Sequence, residues 1–489
     1  MIRRAAFAFL AVVTTVAAIV AINTLRQGSQ QITVGPSAAI PVDSQAVSAR
    51  LAGAIRFRTI SFEDPSAETL AQLLEFHSYI ERSFPRLHAS LQRELVNGYS
   101  LLYTWKGEDG AAKPILLMAH QDVVPIAPGT EKDWHAAPFS GDIRDGFIWG
   151  RGSWDDKGNV MAILEAVESL LARGFRPRRT IYLAFGHDEE NGGAEGATMI
   201  AKLLADRGVH CEFALDEGLL IAEGILPGLK PPAALIGIAE KGSLTLRLTS
   251  YATPGHASMP PARSAIGALA AAIERIQAAP MPASIAGVTA QMFDVIAPEL
   301  TGLNRVAMSN LWLFGPLVRR QLEASPSTNA LIRTTAAVTE IRGGDKDNAL
   351  PGQAEALINF RLLPGDSAAT VIEHVRRVVK DDQIRIAPAY PADEPSRVSS
   401  VTSPAYRVID RTIREQFPET VVTPGLMIAA TDSRHMAAVA DNIYRFSPVR
   451  AGSADLPRFH GTDERMAIAN YVELIRFYGA LIQNAAGKD

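Results

Sequence analysis

Apolar and polar positions along the chain follow several distinct rhythms. Ala5 to Ile22 is an unbroken apolar run, preceded by Arg3 and Arg4 and closed by Arg26. As a helix it would extend about 27 Å, close to the hydrocarbon thickness of a bilayer. It predicts a signal anchor, or a cleaved signal peptide with a weak small-residue site at Val16-Ala-Ala18 or Val20-Ala-Ile22. Residues 1–26 are therefore expected to stand outside the fold, with the two arginines leaving the rest of the chain on the extracytoplasmic side. Gln27 to Val42 is rich in Gly, Ser, Pro and Gln and reads as a linker, residues 27–43.

Helical spacing follows at Ser44–Ile60 and Ala67–Phe84, where Leu70, Leu73, Leu74, Phe76, Ile80 and Phe84 share a face. Short apolar runs at Ser100–Trp105, Pro114–Met118, Thr180–Phe185 and Cys211–Leu215 predict strands. Lys106–Lys113 is expected to be a hairpin loop, and Cys211–Leu215 to end on Asp216. Helical patterns at Gly158–Arg173 and Ala194–Asp206 alternate with these strands. That alternation predicts an α/β domain with a mixed, largely parallel sheet and helices on both faces.

From Gly242 the texture changes. Strand patterns at Ser243–Thr249, Thr334–Ile341, Gln353–Leu362 and Gln383–Ala389 interleave with helical ones at Ser264–Ile276 and Ser367–Val379. The order β-α-β-β-α-β is that of a ferredoxin-like α+β unit. It is expected as an inserted domain, residues 243–392, between two parts of the first domain at 44–242 and 393–489. Residues 281–328, rich in Pro, Ala and Met, give no clear pattern and are expected to cover a surface.

Composition changes this picture little. At 489 residues the chain is too long for one core. A net charge of −4, with no long basic run, gives no support for a nucleic-acid partner. Cys211 is the only cysteine, which excludes an intrachain disulfide and a thiolate cluster.

The chemistry concentrates between Leu116 and Gly193. Met118-Ala-His-Gln-Asp122, Gly150-Arg-Gly-Ser-Trp-Asp-Asp-Lys-Gly158 and His187-Asp-Glu-Glu190 each follow or adjoin an apolar strand. Charged groups at the ends of buried strands are costly unless they serve a purpose. His120 and Asp122 share one side of an extended segment, so His120 could bind a metal while Asp122 holds its other nitrogen. Asp155 and Asp156 exceed what capping the following helix needs, and they repel unless a cation is near. Glu189 and Glu190 suggest a general base beside a ligand. Asp216 and His460 offer further ligands. Histidines and carboxylates without cysteine suit zinc, cobalt or manganese in a hydrolytic site.

Together these runs resemble the signature of the dinuclear zinc aminoacylase and carboxypeptidase family. Met118-Ala-His-Gln-Asp-Val-Val-Pro125, Asp188-Glu-Glu190 and His460-Gly-Thr-Asp-Glu464 are most similar to carboxypeptidase S and its secreted relatives that cleave N-fatty-acyl amino acids. The resemblance covers nearly all of the chain after the linker. It implies two Zn2+ (or Co2+ or Mn2+), with His120 and Asp216 on one, Glu190 and His460 on the other, and Asp155 bridging. It implies that Asp122 orients His120 and that Glu189 is general base to a metal-bridged hydroxide. The Asp155–Asp156 peptide would be cis. The inserted domain would be a lid and dimerisation unit, its His256 polarising the scissile carbonyl, often across a homodimer. Asn348, Arg361 and Arg434 match substrate-binding positions, the arginines suiting a free carboxylate. Ser153-Trp154 and Leu219 depart mildly from the pattern.

The expected enzyme cleaves the amide of an N-acyl amino acid or the last peptide bond of a short peptide. The rival readings are a dipeptidase or carboxypeptidase without acyl preference, and a non-catalytic binding protein on the same fold. The expected location is membrane-anchored and extracytoplasmic, or secreted or periplasmic after cleavage.

Overall fold

The computed structural model describes residues 2–487 except 36, 38 and 227. Its larger unit is built on an eight-stranded sheet, in the order Gln92–Val96, Ser100–Trp105, Ile181–Gly186, Ile115–His120, Cys211–Glu223, Ala440–Gly452, Ala233–Glu240 and Val421–Met427. The central pairings are parallel, and the first two strands run antiparallel to their neighbours. Alternation along one strand explains the two faces. Ile115, Leu117 and Ala119 pack into a core with the helices Ser44–Ile55, Lys157–Ala172, Pro404–Gln416 and Ile468–Ala486, while Leu116 and Met118 join the helix Ala197–Asp206 on the other face.

Two expectations fail at this level. Lys106–Lys113 does not close a hairpin, because Ile181–Gly186 lies between the two strands it joins and pairs with both. Ile115–His120 is buried throughout and gains a parallel neighbour on each side. The strand expected to end at Asp216 continues to Glu223, because residues 219–223 pair in parallel with Phe446–Gly452.

The inserted unit has the expected strand and helix order. Its four-stranded antiparallel sheet runs Thr335–Gly343, Gln353–Leu362, Gly242–Tyr251, Ile384–Pro388. The helices Ala265–Ala278 and Ala368–Val379 cover one face and give the unit a core of its own, around Leu246, Leu269, Ile358 and Val375. The unpatterned region folds into the helices Gly287–Ile296, Gly302–Met308, Leu311–Glu323 and Pro326–Ile332.

The first helix, Ile2–Arg26, is not wholly apart from the fold. Its last turns touch the unpatterned region through Asn310 and Arg305. In the segment after it, Gln31 pairs with the Val422 backbone and Ile40 is buried, while positions 36 and 38 lie outside the described residues.

Candidate active site

Three strand ends and two loops converge at the carboxyl edge of the sheet. His120 is the last residue of its strand and buried. Its Nδ1 lies 3.0 Å from the Asp122 carbonyl oxygen and 3.4 Å from the Asp122 carboxylate. That carboxylate also accepts the backbone N–H of Glu189 at 3.2 Å and of Glu190 at 3.1 Å. Asp122 thus fixes both the imidazole and the Glu189–Asn191 turn, the second task being invisible in a His-x-Asp pattern.

Asp155 sits in a loop where Gly150 (φ 141°) and Gly152 (φ 87°) take conformations that disfavour side chains, and the Asp155–Asp156 peptide is cis. Its two oxygens face two imidazoles: His120 Nε2 at 2.9 Å and His460 Nε2 at 2.8 Å. Glu190 Oε2 lies 3.3 Å from His460 Nε2, and Glu189 Oε2 lies 4.0 Å from His120 Nε2. His120, Asp155 and Glu190 offer ligand atoms all within 4.8 Å of one another. Asp156 does not cap the helix it precedes; its Oδ2 accepts the His120 backbone N–H at 3.2 Å.

Asp216 stands slightly apart from this group. Its oxygens accept the backbone N–H groups of Glu217 at 3.0 Å and Ser433 at 2.8 Å. Burial raises its pKa to about 6 against those two bonds.

Electrostatics mark the place as a sink for positive charge. Burial works against ionised Asp155, yet His120 and His460 hold its pKa below the ordinary carboxylate range. Burial also opposes the charged ring of His460, but Asp155 and Glu190 keep its pKa up at about 10. Burial pushes Glu189 well above the usual value, with Asp432, Glu190 and Asp155 adding repulsion. Glu190 Oε1 is buried and has no hydrogen-bond partner among the described residues.

Two anchoring groups escaped the sequence reading. Glu464 is fully buried, and its Oε1 accepts the N–H groups of Gly152, Trp154 and Asp155 at 2.9, 2.8 and 3.1 Å. Its Oε2 meets Arg151 Nη1 at 2.6 Å, and Arg151 Nη2 donates to the carbonyls of His460 and Gly461. One ion pair therefore holds the Asp155 loop against the His460 loop, where His460 itself has φ 58°. Glu240 accepts from Arg445 Nε at 2.8 Å and from the Thr431 N–H at 3.2 Å, steadying the loop whose Ser433 holds Asp216. Glu464 lies in a run that looked functional and Glu240 does not, but in both cases burial of an ion pair leaves no mark in a sequence.

The remaining expected residues divide into two groups. Arg434 Nη2 donates to the Gly192 carbonyl at 2.9 Å, just past the Glu189 turn. Arg361 is half-buried, and burial and then the Arg434 charge depress its pKa. Burial and then the Arg361 charge bring Lys241 down to about 8. His256 and Asn348 are exposed and adjoin each other on the lid, where Ala257 N–H donates to the Asn348 carbonyl at 3.0 Å. Among the described residues, the polar partners of the His256 ring all belong to Ser258. The structure therefore brings His120, Asp122, Asp155, Glu189, Glu190 and His460 together, places Asp216, Arg361 and Arg434 at the margin, and leaves His256 and Asn348 outside.

Comparisons with known proteins bear on the family and the fold. The chain is 44% identical over 473 residues to "Probable carboxypeptidase S-like 2" of Dictyostelium discoideum, covering 95% of this chain and 91% of that one. It is 42% identical over 438 residues to "N-fatty-acyl-amino acid synthase/hydrolase PM20D1" of Xenopus tropicalis, covering 89% and 85%. The fold resembles that of human carnosine dipeptidase 1, with a TM-score of 0.65 at 15% identity over 90% of this chain and 96% of that one. Residues 116–484, which span every strand that carries the cluster, match the model of peptidase family M20/M25/M40, and the chain is a member of that family of metal-dependent hydrolases.

Proposed function

We propose that this enzyme hydrolyses the amide of N-acyl amino acids beside a free carboxylate, with the C-terminal bond of short peptides as the closest chemical alternative. The observation that carries the reading is the cationic margin of the site, where Arg434 donates to the Gly192 carbonyl just past the Glu189 turn and its charge, after burial, acts on Arg361. Guanidiniums gathered at the margin of the site favour an anion beside them, and a carboxylate suits their fork geometry. The name of the Xenopus relative supports a fatty acyl group on the other side of the amide.

The residues present fit two divalent cations. The donors are imidazoles and carboxylates without thiolate, and among the described residues nothing donates to the buried Glu190 Oε1. Zinc suits that set best, with cobalt or manganese as substitutes. His120 and Asp216 would hold one ion, Glu190 and His460 the other, and Asp155 both. When bound, such ions supply Lewis acidity and offset negative charge. Glu189 takes a proton from the attacking water and passes it to the leaving amine. Asp122 keeps His120 and Glu189 aligned. Arg361 and Arg434, with Asn348, hold the substrate. His256 donates to the carbonyl oxygen as charge builds there, after lid closure or from a second copy in a homodimer. Anchoring through the first helix would hold the site outside the cytoplasm, near lipophilic substrates.

The test compares wild type with Glu189→Ala on N-oleoyl-phenylalanine and on a blocked dipeptide, with metal analysis of both proteins. About two zinc ions per chain in each, and hydrolysis reduced by about 100-fold or more in the variant, are expected. Equal cleavage by the variant overturns Glu189 as base. Preference for the dipeptide overturns the acyl assignment.

A further inference from the structure

The helices Gly302–Met308 and Leu311–Glu323 present an apolar face that the globule does not cover. Leu303 is 85% exposed, Trp312 56%, Leu313 40% and Leu317 63%. Residues 312, 313, 316 and 317 fall on one side of their helix, and Arg319 and Arg320 lie exposed on the next turn. Elsewhere the lid helices turn their apolar faces inward. An exposed stripe of this kind marks a contact with something apolar.

What covers it is indicated by its neighbour. The hairpin between these two helices grips the end of the first helix, Ile2–Arg26. Asn310 is fully buried and donates to the Val20 carbonyl at 3.3 Å and to Thr24 Oγ1 at 3.0 Å, while its Oδ1 accepts from Asn23 at 3.1 Å. Arg305 donates to the carbonyls of Thr24 and Gln27 at 3.5 and 3.3 Å, placing a cation at the helix C-terminus. Only Val16, Val20, Asn23, Thr24 and nearby positions of the first helix are part-covered; Ile2 to Thr15 project free of the globule. The first helix as a whole, Ile2–Arg26, has a mean hydropathy of 2.6 over its most apolar 18-residue window.

The exposed stripe therefore begins where an apolar helix leaves the protein. The Trp312 indole N–H donates to Asn310 Oδ1 at 3.2 Å, which sets the ring beside Val20–Thr24. Indole rings favour the boundary between hydrocarbon and headgroups, and arginines just beyond it favour phosphate.

We infer that the Gly302–Glu323 hairpin is a second membrane contact, seating the enzyme on the lipid surface beside its first helix. It fixes the orientation of the globule on the bilayer, which a single helix on a chain would leave free.

Trp312 makes the inference measurable, because Trp105, Trp134, Trp149 and Trp154 are all at most 8% exposed. The full chain is reconstituted into vesicles of phosphatidylcholine and phosphatidylglycerol, with acyl chains either plain or brominated near the headgroup. Brominated lipid should quench wild-type emission, and Trp312→Phe should abolish that quenching. The variant Leu313→Asp with Leu317→Asp, which keeps Trp312, should lose most of it while remaining anchored and active on a short, soluble substrate. Equal emission in both lipids, or wild type that does not float with the vesicles, overturns the inference. Protection of Trp312 from aqueous iodide without quenching by brominated lipid also overturns it, assigning the face to contacts between copies. Hydrolysis is measured on the same vesicles, so loss of activity and loss of contact are read separately.

Discussion

At the scale of single residues, the Arg151–Glu464 pair bears most directly on the site. It is dry, and it satisfies three backbone amides of the Asp155 loop and two carbonyls of the His460 loop. Glu464→Ala leaves Arg151 buried and unpaired, a change that costs about 3–5 kcal/mol. Its expected signature is a lower Tm together with weaker metal retention in dialysis; an unchanged Tm would show that the loops hold one another without it. His77 offers a separate prediction. Burial, outweighing its 2.7 Å bond to Gln121, lowers its pKa from 6.5 to about 4. As pH falls below 6.5 the unfolded chain binds a proton that the folded chain refuses until about 4, so stability drains across that window and is untouched above it. The loss reaches at most about 3 kcal/mol. His77→Gln keeps a donor for Gln121 but cannot titrate. Thermal unfolding near pH 7 and about pH 5 should show a smaller fall in Tm for the variant than for wild type. His120 and Glu190 were legible because charged residues after apolar strands are conspicuous, Asp155 because it is one of two adjacent acids in a glycine-bounded loop, and His460 because it lies in a motif before the last helix. His77 and Glu464 were not, because their effect comes from burial and from partners distant in the chain.

Among elements, the crossing between the two units is the most constrained. The strand Ala233–Glu240 gives way to Gly242–Tyr251 through Lys241, and the chain returns past Asp393. Ser243 and Asp393 exchange backbone hydrogen bonds at 2.8 and 2.9 Å. A Cβ on Gly242 would lie 2.4 Å from the Asp393 carbonyl oxygen and 2.6 Å from Pro395 N, both backbone atoms that cannot swing aside. Gly242→Ala is therefore expected to cost about 1–3 kcal/mol and to loosen this crossing first. Limited proteolysis near residues 241 and 393, faster than in wild type, is the readout; wild-type Tm and cleavage rate would contradict the clash. The strands flanking that crossing show what pattern reading captures. Gly242–Tyr251 and Gln353–Leu362 alternate because one face meets helices, and the sequence reading found both. Ala233–Glu240 escaped it because that strand is buried or part-buried on both faces and carries no alternation. The helix Leu311–Glu323 escaped because its apolar face is turned outward, so its pattern answers to surroundings other than the core.

For the whole molecule, the relation that matters most is between the lid and the acid cluster. The lid has its own core and its own sheet; the chain crosses between it and the larger unit at Lys241 and again near Asp393, and the helix Gly287–Ile296 packs on the larger unit beside Val421. His256 lies on its exposed edge, paired through the two-residue bridge Gly255–His256 with Ala349–Leu350. In the role proposed for it, His256 would reach the substrate either by closure of its own lid or from a second copy, and the two routes separate genetically. Glu189→Ala and His256→Ala chains, each impaired alone, are unfolded together and refolded as a mixture. If His256 acts across a dimer, random pairing makes half the dimers mixed, and each mixed dimer has one site with both residues intact, restoring about one quarter of wild-type activity. If the lid closes over its own site, every chain lacks one of the two residues and mixing restores nothing. The same mixture at protein concentrations below dimer dissociation should lose the regained activity, because restoration in trans depends on association while closure in cis does not.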